Sequence, residues 1–210
     1  MKKVLFLLDK QNTWIKKYIY NFKFKLNKNF YLKISDNKNL IRNYDIIFLI
    51  NYLKILPKKI IEKKLCFLVH ESNLPKNRGG APLQHQILNG DNKIYLSLIR
   101  AREKVDSGEI FLKSSFKLNG TELNDEIRKI QAINSFKLVE KFLKNYNKLK
   151  PKKQIGKPTY NKRRTKKDSL INVNKSLKNQ FNLLRVCDNE KYPAYFILKN
   201  KKYILKIFKD

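Results

Sequence analysis

The 210-residue sequence has few cysteines, histidines and glycines: two, two and six respectively. The cysteines, Cys66 and Cys187, lie far apart and each stands within an apolar run, so we expect buried free thiols in a reducing compartment. No group of cysteines and histidines has the spacing of metal ligands, so no metal cofactor is expected. No glycine-rich fingerprint follows the first apolar run, which argues against a nicotinamide cofactor.

Long hydrophobic runs are also lacking. The N-terminal apolar run, Val4 to Leu8, has five residues before the charge of Asp9. Such a run is too short for the core of a signal peptide or for a membrane span. We therefore expect a soluble, cytoplasmic protein with no membrane partner.

Acidic residues are scarce, with 17 against 48 basic ones, which leaves a net charge of +31. This excess suggests a nucleic-acid partner. However, the chain has 40 lysines and only 8 arginines, spread along its whole length, whereas phosphate and base recognition favour arginine. We interpret the charge as a compositional bias and expect no nucleic-acid partner, although a basic surface would attract anionic substrates such as nucleotide sugars.

Short apolar runs are present and predict three buried parallel strands at residues 4–8, 45–50 and 65–69. Helical segments at residues 14–19 and after Pro57 alternate with them. The predicted fold class is therefore α/β, with a Rossmann-like, mostly parallel sheet flanked by helices. Ligands bind such sheets outside the carboxyl ends of the strands, and His70 lies at one of these ends.

The rest of the chain continues this pattern. We predict a helix at residues 82–89, strands at 93–102 and 110–116, and a long amphipathic helix that Asn124 or Asp125 caps. Residues 1–150 form the predicted catalytic domain, although residues 1–44 look too short for a complete set of strands and helices. Residues 151–210 form a linker, with a solvated basic run, and a small appendage. The appendage has a helix from Asn174 through Leu184 and a hairpin that turns at Asn200–Lys201.

His70 is the strongest functional candidate, because an imidazole at the mouth of a buried strand is placed to handle protons near neutral pH. The surrounding segment, residues 45–110, resembles the folate-dependent formyltransferases. This group contains methionyl-tRNA formyltransferase, glycinamide ribonucleotide formyltransferase and the sugar N-formyltransferases. The matching residues are Asp45-Ile46-Ile47, Ile55-Leu56-Pro57, His70-x-Ser72-x-Leu74-Pro75-x-x-Arg78-Gly79-x-x-Pro82 and Asp106-x-Gly108-x-Ile110.

The C-terminal region looks like the short one of the sugar N-formyltransferase branch. The residues that carry this likeness are Tyr160–Thr165, Asp168–Ser169, Phe181–Arg185 and Tyr192–Phe196. The resemblance implies the formyltransferase fold, with a small helix and β-hairpin after the catalytic domain.

The same resemblance implies transfer of a formyl group from 10-formyl-tetrahydrofolate to an amine. It makes His70 and Asp106 the catalytic residues. It places Tyr52, Ile55, Leu56, Pro57 and Asp106 at the folate, and Glu71, Ser72, Arg78, Gly79 and Gln84 at the substrate.

One position departs from the family. Two residues before the histidine, members of the family usually carry an asparagine that donates a hydrogen bond to the formyl oxygen. This chain has Leu68 at that position. Three alternatives follow. The charged form of His70 and backbone N–H groups stabilise the oxyanion, a neighbour such as Asn51 or Gln84 takes over, or the chain binds folate or sugar without efficient transfer.

The expected acceptor is an amino sugar, nucleotide-linked and used in surface glycan biosynthesis. Methionyl-tRNA is the alternative acceptor, and a weakened folate-, sugar- or RNA-binding relic is the alternative without efficient catalysis. Trp14 is interpreted as a packing residue rather than a stacking platform for a sugar or a base. Whether the protein forms a homodimer is left open by the sequence.

Overall fold

The computed structural model describes all 210 residues. The ten strands are β1 (Lys2–Leu8), β2 (Phe30–Ser35), β3 (Ile46–Ile50), β4 (Leu65–His70), β5 (Arg78–Gly79), β6 (Lys93–Arg100), β7 (Ile110–Lys117), β8 (Tyr160–Asn161), β9 (Ala194–Leu198) and β10 (Lys201–Leu205). The five α-helices are α1 (Lys16–Ile19), α2 (Lys58–Lys63), α3 (Pro82–Leu88), α4 (Asn124–Lys144) and α5 (Phe181–Val186).

Six strands form the central sheet in the order β2-β1-β3-β4-β6-β7. The first four pair in parallel, while β6 and β7 are antiparallel to their neighbours. The predicted mostly parallel, Rossmann-like sheet is thereby confirmed. Because β3 and β4 end at the same edge, the residues that follow them face a common space.

Both faces of the sheet are covered. On one face α4 packs Phe142 against Phe48 and Phe67 of the sheet, with ring centroids 5.6 and 4.7 Å apart. On the other face Ile61 of α2 joins a smaller apolar cluster. Strands buried on both faces require continuous apolar runs, which explains why β1, β3 and β4 could be predicted from the sequence.

The predicted cap of the long helix is wrong. Asn124 is its first residue, and the N-cap is Leu123. The carboxylate of Glu126 accepts a hydrogen bond from the Leu123 N–H at 2.9 Å. A glutamate in the first turn thus satisfies one of the free N–H groups there, so no polar cap side chain is needed.

The N-terminal region lacks a full helix, in agreement with the prediction that residues 1–44 are too short for a complete set of elements, but it does contain the edge strand β2. Only one 3-10 turn and the single turn of α1 lie between β1 and β2, in place of a full crossover helix. The burial of β2 alternates between half-buried and exposed residues over most of its length. The sequence of an edge strand therefore lacks the continuous apolar run by which its neighbours are recognised.

The appendage contains the predicted hairpin, formed by β9 and β10, but its helix begins later than expected. Residues 172–177 form a loop that closes on Gln180. The Gln180 amide accepts from the Asn172 N–H at 2.7 Å and donates to the carbonyls of Asn172 and Lys175 at 3.0 Å each. This buried side chain holds the loop in place of a helical turn. The division of the chain at residue 150 stays a prediction.

Both cysteines are buried free thiols. Burial raises the pKa of the Cys66 thiol to about 11, which keeps it protonated and unreactive at neutral pH. None of the helices combines the length and the apolar character that crossing a membrane requires.

Candidate active site

A cavity of about 710 Å³ lies at the carboxyl ends of β3 and β4. Residues from the loop after β3, the loop after β4, α4 and the C-terminal region line it. Its volume falls within the range of small-molecule sites. The position agrees with the expectation that ligands bind at the carboxyl ends of the strands.

His70 lies in the wall of this cavity and is 5% exposed. Its Nε2 lies 2.8 Å from the carbonyl oxygen of Asn77. A carbonyl only accepts, so Nε2 carries a hydrogen. The other ring nitrogen, Nδ1, faces the Asp106 carboxylate at 3.5 Å. The structure therefore brings the two predicted catalytic residues together, and the Asn77 carbonyl sets the orientation of the ring.

Asp106 is itself held firmly. Its Oδ2 accepts a hydrogen bond from the Gly79 N–H at 2.9 Å. The side-chain amide of Gln154 donates to the carbonyls of Asp106 and Gly108, at 2.8 and 2.7 Å. The C-terminal region thus fixes the loop that carries the aspartate. Neither Asn77 nor Gln154 was found from the sequence, because a backbone carbonyl carries no residue pattern and Gln154 is remote in the chain.

Gly108 allows this loop to pass close to β6. A Cβ atom at this position would overlap the carbonyl oxygen of Arg100. We expect Gly108→Ala to lower the free energy of unfolding by about 1–3 kcal/mol, because a backbone atom cannot move aside without disturbing the sheet. Urea denaturation measures the change. Ser107→Ala, in the same turn, is the control and should cost less, since its hydroxyl bonds only to the exposed Lys104 carbonyl. Equal losses in the two variants would contradict this account.

Glu71 lies beside His70 in the cavity wall. Its Oε1 accepts a hydrogen bond from the Gln131 amide of α4 at 2.7 Å. Burial raises the pKa of the Glu71 carboxyl, and the neighbouring His70 and the Gln131 hydrogen bond oppose that rise. A half-buried carboxyl with a raised pKa, next to an imidazole in a cavity, is typical of a functional position.

The raised pKa of Glu71 predicts a pH-dependent cost in stability. The folded state binds the proton more tightly than the unfolded state, so the cost appears as the pH rises above the ordinary value of 4.5 and is complete above the raised value. Glu71→Gln should therefore be more stable than the wild type at pH 8, by about 1.4 kcal/mol for each unit of the pKa shift. Thermal unfolding between pH 4.5 and 8 measures this. A stability difference that does not change with pH would rule out the raised pKa.

One end of the cavity carries most of the apolar lining residues, with the cations Lys54, Arg100 and Arg102 among them. Of the predicted folate-binding residues, Tyr52, Ile55 and Leu56 line it, together with Leu49, Ile61, Leu68, Ile99 and Ala101. The fourth, Pro57, does not line the cavity. It is exposed and serves as the N-cap of α2.

The opposite end is rich in cations. Arg128 of α4 donates to the Asp188 carboxylate at 2.8 Å, and its guanidinium lies 5.3 Å from the centroid of the Trp14 ring. Arg163, Arg164 and Lys191 line the same end. These residues are far apart in the sequence, so no local pattern joined them. The basic run that we interpreted as solvated linker contributes to the wall, and Trp14 also lines the cavity instead of only packing.

The predicted substrate-binding residues divide into two groups. Glu71, Gly79 and Gln84 line the cavity, whereas Ser72 and Arg78 do not. Ser72 is fully buried, and its carbonyl accepts from the Ser97 hydroxyl at 2.7 Å. Ser72 therefore has a structural role and does not contact a ligand in the cavity, contrary to the prediction.

Arg78 also has a structural role. It is 7% exposed, and its Nη2 and Nε donate to Gln154 Oε1 at 2.7 and 3.2 Å. Its Nη1 donates to the Tyr160 hydroxyl at 3.2 Å. The guanidinium N–H groups are used in hydrogen bonds to Gln154 and Tyr160 of the C-terminal region, and Arg78 does not line the cavity. Arg78 therefore acts through Gln154, which fixes the loop of Asp106.

No group of three or more His, Cys, Asp or Glu side chains is arranged to hold a metal ion. The cavity instead offers a histidine, the carboxyl groups of Glu71 and Asp106 beside it, and side-chain amides, with apolar and cationic residues around them. These groups can position a small molecule, accept or donate protons and stabilise developing charge. Such a site suits a reaction in which a group moves between two bound molecules while a proton is transferred.

Residues 5–141 match the family described as Formyl transferase. The match covers well over half of the chain, and the chain belongs to this family. The chain is 36% identical over 147 residues to the methionyl-tRNA formyltransferase of Rickettsia massiliae, covering 68% of this chain and 49% of that protein. It spans about half the length of the curated relatives it matches.

Two solved structures are similar over nearly the whole chain. Methionyl-tRNA formyltransferase from Clostridium thermocellum has a TM-score of 0.84 and 25% identity, covering 99% of this chain and 92% of that one. A 4-N formyltransferase from Francisella tularensis has a TM-score of 0.74 and 21% identity, covering 98% and 97% respectively. The second likeness concerns the fold alone.

Proposed function

We propose that this chain transfers a formyl group from 10-formyl-tetrahydrofolate to the amine of a nucleotide-linked amino sugar used in surface glycan biosynthesis. Membership of the formyl transferase family supports the reaction type. The observation that carries the choice of acceptor is the cationic end of the cavity, which the chain's own C-terminal region encloses. It suits a small anionic acceptor.

The apolar end suits the folate. Tyr52, Leu56 and Leu68 offer apolar surface, and residues 100–103, with their backbone and side-chain polar groups, also line the cavity. Flat heteroaromatic ligands bind such a combination, with the ring against apolar side chains and its polar edge against backbone groups. The bound folate supplies the formyl group as an activated amide.

The cationic end suits the acceptor. Arg163, Arg164 and Lys191 provide positive charge for a diphosphate, and Trp14, with Arg128 against its ring, borders the same cavity. Glu71 lies beside His70 in the cavity wall, where its carboxyl can accept a hydrogen bond from the attacking amine. Gln84 and the backbone of Gly79 border the same space.

His70 is the group that we assign to proton handling. When the amine adds to the formyl carbon it must lose a proton, and the departing nitrogen must gain one. The imidazole is oriented by the Asn77 carbonyl and faced by the Asp106 carboxylate at 3.5 Å. The aspartate stabilises the charged form of the ring while the proton is in transit.

A competition between acceptors tests the proposal. The protein is incubated with 10-formyl-tetrahydrofolate and, separately, with nucleotide-linked amino sugars, the corresponding free amino sugars and methionyl-tRNA. Release of tetrahydrofolate and formylation of the acceptor are both measured. We expect kcat/KM to be highest for a nucleotide-linked amino sugar, and the free sugar to lose most of that value because it lacks the anionic group.

Methionyl-tRNA is the second candidate acceptor, because several curated relatives carry that name and the chain has a net charge of +31. Efficient formylation of methionyl-tRNA, with no transfer to the sugars, would overturn the proposed acceptor but not the reaction. Binding of folate without transfer to any amine would overturn the reaction itself and favour the weakened relic.

A further inference from the structure

Asn51, the residue just after β3, has an unusual environment. Its φ is +50°, in the left-handed region that few residues other than glycine adopt. The side-chain amide of Asn12 donates to its carbonyl at 3.2 Å. Its own Nδ2 is buried and has no hydrogen-bond partner. A buried amide nitrogen without a partner reduces stability. The amide oxygen of Asn51 is not buried, so it lies on the open side of the group, and half a turn about the Cβ–Cγ bond brings the nitrogen to that side, where a ligand can supply its partner.

Asn51 stands at the level of His70. The parallel pairing of β3 with β4 places Leu49 beside Leu68. Asn51 follows the last residue of β3, and His70 is the last residue of β4. Both residues line the cavity, as do Leu49 and Leu68. The amide and the imidazole therefore stand at the carboxyl ends of neighbouring parallel strands, beside the same cavity.

Formyl transfer needs a hydrogen-bond donor at this point. As an amine adds to the formyl carbon, negative charge develops on the formyl oxygen, and a preorganised N–H group stabilises it. His70 does not serve as a fixed donor here, because its Nε2 is bound to the Asn77 carbonyl and the ring is assigned to the moving proton. Leu68, on the same strand, has no donor. The Asn51 amide is a donor without a partner, and half a turn about its Cβ–Cγ bond exchanges its nitrogen and oxygen.

We propose that Asn51 donates a hydrogen bond from Nδ2 to the formyl oxygen and takes over the task that Leu68 cannot perform. This inference rests on the proposed function. In the reaction the bond from the amine nitrogen to the formyl carbon forms and the bond from that carbon to the folate nitrogen breaks. The amine proton ends on the folate nitrogen, and Asn51 is unchanged throughout.

The test removes the amide while keeping the backbone. Asn51→Gly is the variant of choice, because glycine adopts a φ of +50° without strain. We expect kcat to fall by about 100-fold or more. The affinity for tetrahydrofolate, which has no formyl oxygen, should stay unchanged in calorimetry. Asn134→Ala is the matched control. The Asn134 amide donates to the Ile130 carbonyl at 2.8 Å within α4 and does not line the cavity. It should keep the wild-type kcat.

Two further measurements separate a direct contact from a structural role. In Asn51→Gly/Leu68→Asn an amide returns to the same face as His70, and we expect most of the lost kcat to return. Infrared spectra of bound 10-formyl-tetrahydrofolate with a ¹³C-labelled formyl group, recorded without an amine, should show the carbonyl band at lower frequency in the wild type than in Asn51→Gly. This readout requires no turnover.

The outcomes distinguish the two proposals. Wild-type protein that transfers the formyl group, with Asn51→Gly equally active or with the same carbonyl band, contradicts the role of Asn51 alone. A loss of kcat in Gln84→Ala but not in Asn51→Gly would likewise assign the donor to Gln84 and overturn the inference. Wild-type protein that binds the folate and transfers nothing contradicts the proposed function instead.

Discussion

Replacing His70 by alanine is expected to reduce kcat for formyl transfer by about 10³-fold. The imidazole is the proton-handling group closest to Asp106, and general acid–base catalysis by one positioned side chain contributes about 10²–10⁴-fold. His70 is nearly buried and its ring nitrogens face two fixed oxygens, so no other side chain can take its place without rearrangement of the loop after β4. Release of tetrahydrofolate in the presence of the preferred acceptor measures the effect.

The sequence contains one other histidine, which makes a natural control. His85 lies on α3, where its Nε2 is 3.0 Å from the Lys162 carbonyl, and it does not line the cavity. His85→Ala should keep the wild-type kcat. Tetrahydrofolate should still bind His70→Ala with wild-type affinity, which shows that the cavity is intact. If His70→Ala retained a kcat within about tenfold of the wild type, the assignment of His70 as the proton-handling group would be wrong.

The sheet was predictable because its central strands are buried on both faces. β1, β3 and β4 each appear in the sequence as an uninterrupted apolar run. β2 was not predicted, because an edge strand leaves part of its residues in solvent and so lacks a continuous apolar run. The helix predicted from Asn174 failed for a different reason. The buried Gln180 amide closes a loop over those residues, and a tertiary interaction of this kind leaves no periodic pattern in the sequence.

The site residues also divide into those that could be predicted from the sequence and those that could not. His70, Glu71 and Asp106 lie in or beside recognisable loops at strand ends, so they could be named in advance. Arg78 lies in the same loop, yet its guanidinium turns to Gln154 and away from the cavity. A motif specifies which residues a loop contains, but the partner that each side chain selects depends on remote parts of the chain.

The cationic end of the cavity could not be predicted for the same reason. Trp14, Arg128, Arg163 and Lys191 come from four distant segments, and only the fold brings them to one wall. Their charge was visible only as part of a general excess of basic residues. The C-terminal region therefore has two tasks, since it closes this end of the cavity and, through Gln154, fixes the loop of Asp106.

Asp106→Asn is expected to reduce kcat by about 100-fold or more. The carboxylate faces His70 Nδ1 at 3.5 Å and also accepts from the Gly79 N–H at 2.9 Å. Asparagine preserves the shape, and it tolerates the φ of +51° at this position better than other residues except glycine. The substitution therefore removes the negative charge that supports the protonated imidazole while it leaves the loop folded.

The decisive measurement for Asp106 is a double-mutant cycle with His70. If the carboxylate acts through the imidazole, Asp106→Asn should cost little once His70 is alanine, so the double variant should be about as slow as His70→Ala alone. Asp36→Asn serves as the control, because Asp36 pairs with Lys16 outside the cavity and should not alter kcat. Additive losses at His70 and Asp106 would mean that the aspartate acts independently of the histidine, through the Gly79 loop or through the acceptor amine.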